Sequence, residues 1–201
     1  MFKRGLSLCA AMMLSACGAP EVGEENLEAH LESLPAPLTS AISRGCSFNI
    51  TYTQRPAALP PLYDIYLNRQ ASATCPWPAA SEKLDTSYNY VPRLSLAAND
   101  LGVAASFVLK RTYSGSSPTI LGLEHVDPEL LTTVRVADIY PAYGRGFIYS
   151  GDLSIAADGT TLVVRGTKSG TILGESGSGS NYTATFPNFF TSTTPPTVQA
   201  Y

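Results

Sequence analysis

Long apolar segments and charged residues are both scarce in this chain of 201 residues. After residue 17, no stretch approaches the roughly 20 consecutive apolar residues that a transmembrane helix requires. Charged residues make up 14% of the chain, against a usual share of about 25%. Gly, Pro, Ser and Thr take their place. A turn-rich chain of low charge is typical of an exported β domain and not of a helical bundle.

A basic excess is also missing, because 13 Lys and Arg face 16 Asp and Glu for a net charge of −3. The acidic excess lies in one short stretch. It comprises Glu21, Glu24, Glu25, Glu28 and Glu32. Outside it, acids and bases are close to balance. Nucleic-acid binders carry a basic stripe, so the composition argues against nucleic acid as a partner.

Metal-ligating residues are few, with four Cys and two His in the whole chain. Neither His30 nor His125 stands at ligand spacing from a Cys or from the other His. A zinc site needs three or four such ligands at close spacing. We therefore expect no metal site and no cofactor.

The N-terminal residues are typical of an export signal. Lys3 and Arg4 precede an apolar run over 5–16, which is too short to span a bilayer and ends in small residues. The run closes on Leu14-Ser15-Ala16-Cys17, which resembles the lipobox of bacterial lipoproteins. The resemblance implies cleavage of a signal peptide over 1–16 and acylation of Cys17, which would anchor the chain in a membrane. Because Gly18, and not Asp, follows Cys17, it also implies the outer membrane.

Two further cysteines, Cys46 and Cys75, remain in the exported part. In an oxidising compartment an isolated pair most simply forms a disulfide. Closing a loop of about 30 residues stabilises a fold by roughly 3.6 kcal/mol in the chain-entropy estimate. We predict a Cys46–Cys75 disulfide.

The rest of the chain divides by composition into three parts. Residues 17–40 predict a flexible acidic tether, in which leucines at helical spacing leave open a short amphipathic helix or disorder. Residues 41–190 predict a β domain. Residues 191–201, with Pro195-Pro196, predict a loose C-terminal tail.

Alternation of polar and apolar residues predicts strands within 41–190. Cys46, Phe48 and Ile50 alternate with polar residues, and Asp158-Gly159 between two apolar runs indicates a hairpin. We expect a helical turn at 79–84, a single turn after Asp127, a chain reversal at 141–146 and a flexible segment at 174–180. About ten short strands with tight turns predict an all-β fold, as a single antiparallel β-sandwich or barrel.

One stretch is suggestive of catalysis. Gly174-Glu175-Ser176-Gly177-Ser178 resembles the nucleophile loop of chymotrypsin-like proteases, a mechanism that also requires a His base and an orienting Asp. Glu175 departs from that motif, and neither histidine has the family's context. A flexible Gly-Ser turn accounts for the segment more simply. Likewise, His125 and Asp127 would share a face of a strand, but a lone His of this kind is usually structural.

Tyrosine is the remaining signal, with 11 in the chain. The aromatic residues in or near predicted loops are Trp77, Tyr88, Tyr90, Tyr113, Tyr140 and Tyr143. Exposed rings on a β scaffold form stacking platforms for sugars or proteins, although Tyr is also common in strands.

With no complete catalytic set, we predict a non-enzymatic binding or structural module at the cell envelope, with a protein or glycan partner. The alternatives are a carrier of a small apolar ligand and a hydrolase with dispersed residues. A closed barrel with an apolar cavity would favour the carrier, and polar residues converging around His125 would favour the hydrolase. A filled core with exposed tyrosines would favour the binding module.

Overall fold

The computed structural model describes residues 38–201, apart from the side chains of Gly144 and Arg145. This range contains fourteen strands and no helix, so it holds no helix long and apolar enough to cross a membrane. The all-β prediction is confirmed. The prediction of one sandwich or barrel of about ten strands is wrong, because the strands form three sheets.

The strands follow one another along the chain from sheet to sheet. The first sheet contains β1 (Ser40–Ser43), β2 (Cys46–Gln54), β3 (Leu62–Arg69) and β4 (Ala80–Tyr88). The middle sheet contains β5 (Arg93–Asn99), β6 (Gly102–Leu109), β7 (Ile120–Val126) and β8 (Thr133–Val136). The third contains β9 (Pro141–Ile148), β10 (Asp152–Ile155), β11 (Leu162–Ile172), β12 (Glu175–Gly177), β13 (Asn181–Phe186) and β14 (Thr197–Ala200). The described strand pairs are antiparallel except β12 with β14.

The middle sheet is covered on both faces. Phe107 and Leu96 pack with the first sheet in one core cluster, whereas Val108 and Leu121 pack with the third sheet in another. Every residue of β6 and β7 is therefore buried. Strands buried on both faces read as continuous apolar runs. The sequence of β6, GVAASFVL, has this character.

β10 lies against the middle sheet without joining its ladder. The hydroxyl of Ser106 donates to the carbonyl of Gly151 at 2.7 Å, and the amide of Leu153 donates to the hydroxyl of Ser95 at 3.0 Å. The two serines face each other across β5 and β6. Buried backbone groups require hydrogen-bond partners. The two serine hydroxyls supply these partners for the backbone of Gly151 and Leu153, where no neighbouring strand does.

Two segments predicted as turns are strands. Residues 80–88 form β4 and not a helical turn, because β3 supplies a ladder that local propensity does not reveal. Residues 141–148 form β9, which begins at Pro141 and pairs with β11. Proline is tolerated as the first residue of a strand, so the prediction of a chain reversal at 141–146 is wrong.

The prediction of a loose tail over 191–201 is also wrong. β14 pairs with β13 and β12, and its Val198 and Ala200 are buried. The chain before it is held by Arg135, whose guanidinium lies 4.9 Å from the Phe189 ring centroid and donates to the carbonyl of Thr194 at 2.9 Å. The segment 174–180, predicted to be flexible, contains β12.

The remaining local predictions are confirmed. Cys46 and Cys75 form a disulfide with a Cα–Cα distance of 4.4 Å, which ties the start of β2 to the loop after β3. β10 and β11 form the hairpin around Asp158-Gly159. The carboxylate of Asp127 accepts the amides of Glu129 and Leu130 at 2.8 and 2.7 Å, as a turn cap does. The signal peptide, Cys17 and most of the predicted tether lie outside the described residues.

Candidate functional site

Four side chains from distant parts of the chain meet beside β4. Arg111 Nη2 lies 2.8 Å from Asp138 Oδ2 and 3.2 Å from Asp85 Oδ2. The hydroxyl of Tyr140 donates to Asp138 Oδ2 at 2.8 Å and accepts from Arg111 Nη1 at 3.0 Å. We call these four residues the Arg111 cluster. Each carboxylate is thus bound to one guanidinium that remains half-exposed.

The pKa values within the cluster follow from burial and pairing. Burial acts to lower the pKa of Arg111, but Asp138 and Asp85 raise it above its usual value. Burial raises the pKa of Tyr140, and its bond to Asp138 raises it further. At neutral pH the cluster therefore presents a charged guanidinium and a neutral phenol.

Glu124 lies on β7 close to these charges. Glu124 is only 6% exposed. The hydroxyl of Thr133 donates a hydrogen bond to its Oε2 at 2.6 Å. Burial raises the pKa of Glu124, and Asp85 and Asp138 raise it further. A carboxylate in this position accepts hydrogen bonds from hydroxyl groups and holds a proton at a higher pH than an exposed one.

Two further tyrosines stand close in sequence to residues of the Arg111 cluster. Tyr88, three residues after Asp85, contacts Tyr113 edge to face at 4.8 Å between ring centroids. Tyr113 is 51% exposed and stands two residues after Arg111. Of the five tyrosines singled out from the sequence, Tyr140 belongs to the cluster, whereas Tyr88 and Tyr113 contact each other and are only sequence neighbours of Asp85 and Arg111.

The other aromatic candidates lie elsewhere. Tyr143 is 95% exposed on β9. Tyr90 packs against the core shared by the middle and third sheets. Trp77 packs near the disulfide, with the Arg69 guanidinium 5.6 Å from its ring centroid. Their roles in the described structure are therefore separate from the Arg111 cluster.

His125 belongs to the core and does not line a cleft. Its ring lies 5.2 Å from that of Phe190 and 6.0 Å from that of Phe189. Burial lowers its pKa, which a backbone contact with Leu101 and the charge of Asp127 only partly offset. β7 ends at Val126, so Asp127 turns away and caps the following turn.

The protease-like stretch is held by structural contacts. Ser176 Oγ donates to the carbonyl of Val198 at 3.2 Å. Glu175 forms a buried ion pair with Lys168 at 3.2 Å and accepts the amide of Ile172 at 2.8 Å. These bonds fasten β12 in the third sheet, whereas His125 lies on the middle sheet.

Sequence reasoning missed four residues at the site: Asp85, Arg111, Glu124 and Asp138. No local pattern joins them, since they come from β4, the loop after β6, β7 and the segment after β8. One signal was present for Glu124, which is an acid inside the apolar run Ile120–Val126. Within residues 38–201, no group of three or more His, Cys, Asp and Glu has an arrangement that could hold a metal ion.

The fold and this site define a class of protein: an all-β, disulfide-stabilised domain with a surface of tyrosines and paired charges. Beyond that class, no protein-family model, no curated protein and no solved structure matches this chain.

Proposed function

We propose that this chain is an exported lipoprotein that is anchored through Cys17. It presents a non-enzymatic binding domain at the bacterial cell envelope. The lipobox resemblance at Leu14-Ser15-Ala16-Cys17 supports the anchor. Two or more acyl chains give stable membrane attachment, at about 0.8 kcal/mol per buried CH₂ group. Gly18 supports an outer-membrane location.

The binding surface is the Arg111 cluster together with Tyr88 and Tyr113. The observation that carries this assignment is that the half-exposed Arg111 guanidinium holds two carboxylates and the Tyr140 hydroxyl in one place. Tyrosine combines an apolar face with a polar hydroxyl. Such a surface stacks on an apolar ring face and exchanges hydrogen bonds with the groups at its rim.

A glycan is the partner that this chemistry favours. One face of a sugar ring is apolar, and its hydroxyl groups both donate and accept hydrogen bonds. Asp85 and Asp138 outnumber the single Arg111, so the surface disfavours phosphate and other polyanions. Protein interfaces, by contrast, are depleted in Asp and Glu at their centre.

The packing of the interior supports surface binding over carriage of an apolar molecule. Large side chains such as Phe48, Phe107 and Phe186 are fully buried within the two core clusters. Protein cores are packed to the density of organic crystals. The space between the sheets is therefore occupied by the domain's own side chains.

Co-sedimentation with purified peptidoglycan sacculi tests the binding surface. We expect the full chain to sediment with sacculi, and Tyr113→Ala to weaken the association at least tenfold without breaking an ion pair. Arg165→Met is the matched control, because Arg165 is exposed on the third sheet. A full chain that stays in the supernatant, or a Tyr113→Ala variant that binds like wild type, would contradict the proposal.

The anchor is tested separately by the mass and fractionation of a Cys17→Ser variant. We expect wild type to carry acyl chains on Cys17, to lack residues 1–16 and to fractionate with the outer membrane. The variant should keep its signal peptide and gain no lipid. A variant that matures to the wild-type length and is still lipidated would contradict the lipoprotein assignment.

A further inference from the structure

A cleft of about 350 Å³ lies where the chain entering β10 meets the start of β5. Its lining residues are Arg93, Leu94, Ser150, Gly151 and Asp152. This volume falls in the lower part of the range of small-molecule sites, roughly 300–1,000 Å³. None of these residues belongs to the Arg111 cluster, so the cleft is a separate place on the molecule.

The backbone floor of the cleft is fixed by its own bonds. The carbonyl of Ser150 accepts the hydroxyl of the buried Tyr182 at 2.9 Å, and that of Gly151 accepts Ser106 at 2.7 Å. A side chain at Gly151 would place its Cβ 2.4 Å from Leu121 Cδ1. The chain therefore runs flush against the core there, and these carbonyls are already occupied.

Two opposite charges remain on the walls. Within the described residues, neither Arg93 nor Asp152 forms an ion pair or a side-chain hydrogen bond. The charge of Arg93 nevertheless affects the pKa of Asp152. Burial raises the pKa of the Asp152 carboxyl, and the charge of Arg93 offsets that rise only in part. A half-buried carboxylate and a guanidinium thus share one cleft without direct contact.

We propose that this cleft binds a small dipolar molecule of the amino-acid class. Its ammonium group would lie against Asp152 and its carboxylate against Arg93, whose planar fork suits a carboxylate. A dipolar ligand satisfies both charges at once, which neither a simple amine nor a simple carboxylic acid does.

Isothermal titration of the full chain with L-alanine, propionate and isopropylamine tests this assignment. These probes share their size and differ in whether they carry both charges or one. We expect saturable binding of L-alanine, and binding of each singly charged probe at least tenfold weaker. Two results with the wild-type protein would overturn the proposal. One is the absence of any heat of binding at millimolar L-alanine, and the other is equal affinity for the three probes.

Substitutions then locate the site. Asp152→Asn and Arg93→Met should each weaken L-alanine binding at least tenfold. Neither substitution should change the melting temperature of the domain. Glu82→Gln is the matched control, since Glu82 is exposed on the first sheet and does not line the cleft. Loss of binding in the control, or unchanged binding in both cleft variants, would contradict the assignment. Sedimentation with sacculi should be unaffected by either cleft variant, which separates this site from the glycan surface.

Discussion

Arginine side chains in this domain hold separate segments together by hydrogen bonds to backbone carbonyls. Arg69 is 5% exposed, and its guanidinium donates to the carbonyls of Pro78 and Pro128 at 2.9 and 2.8 Å. It thereby joins the end of β3 to the turn after β7. A buried charge costs stability unless it is paired and hydrogen-bonded. Backbone carbonyls meet that need here, and Arg135 holds the segment before β14 in the same way.

His125 gives the domain a predictable pH dependence. Burial lowers the pKa of the folded imidazole below its ordinary value of 6.5. As the pH falls below that value, the unfolded chain binds a proton before the folded chain does, so the free energy of unfolding decreases. The slope for one such group reaches about 1.4 kcal/mol per pH unit between the two pKa values.

Urea unfolding of wild type and His125→Gln at pH 7.5 and 5.5 measures this effect. We expect wild type to lose more stability than the variant between the two pH values. The raised pKa of Glu124 acts in the opposite direction, but it is present in both proteins and cancels in the difference. Parallel pH dependence in the two proteins would show that His125 is not held neutral by the fold.

At the scale of elements, β14 shows how pairing outweighs composition. Its four residues, Thr197–Ala200, follow a proline pair and are too few to indicate a strand by themselves. They order because β13 and β12 offer a ladder on each side. Inward residues at positions 198 and 200 then alternate with exposed ones, as the strand period requires.

A matched pair of substitutions tests the role of β14. Val198→Asp should destabilise the domain by about 3 kcal/mol or more, because it places an unpaired carboxylate against buried Phe and Tyr side chains. Gln199→Asp adds the same charge on the exposed face and should change stability by no more than about 0.5 kcal/mol. Thermal melting or urea unfolding of the two variants gives the comparison. Equal stabilities would mean that the C-terminal segment is not part of the folded sheet.

At the scale of the whole molecule, the arrangement is a middle sheet enclosed by two others. The small residues of β6, among them Ala104, Ala105 and Ser106, let both neighbours approach closely. The central strands β6 and β7 are therefore buried along their whole length, while the outer face of the first sheet carries Asn, Thr and Ser. One such pair, Asn68 and Thr51, is hydrogen-bonded at 3.0 Å.

The disulfide is the one covalent tie across the described chain, and it closes a sequence separation of 29. Its removal in a Cys46→Ser, Cys75→Ser variant should lower the free energy of unfolding by about 3.6 kcal/mol in the chain-entropy model. Urea unfolding of wild type with and without a thiol reductant provides an independent measure. A reductant that leaves the unfolding midpoint unchanged would indicate that the bond adds no stability.

Local features of this fold were predictable from the sequence. The alternation in β2, the hairpin at Asp158-Gly159 and the Asp127 cap depend on neighbours within a few residues. The Cys46–Cys75 pair was predictable because these are the two cysteines beyond the predicted anchor. Each of these features is written into a short stretch of chain, so periodicity and turn chemistry suffice to find it.

Tertiary structure alone decided the layering, the strands β4, β9 and β14, and the meeting of Arg111 with Asp85 and Asp138. These depend on contacts between segments far apart in the chain, and such contacts leave no periodic trace in either segment. A polar segment becomes a strand when a partner offers it a ladder, and a charge becomes part of a site when packing brings its counterpart near. The sequence by itself determined the all-β class, the hairpin and the disulfide, because those are properties of short segments and of cysteine number.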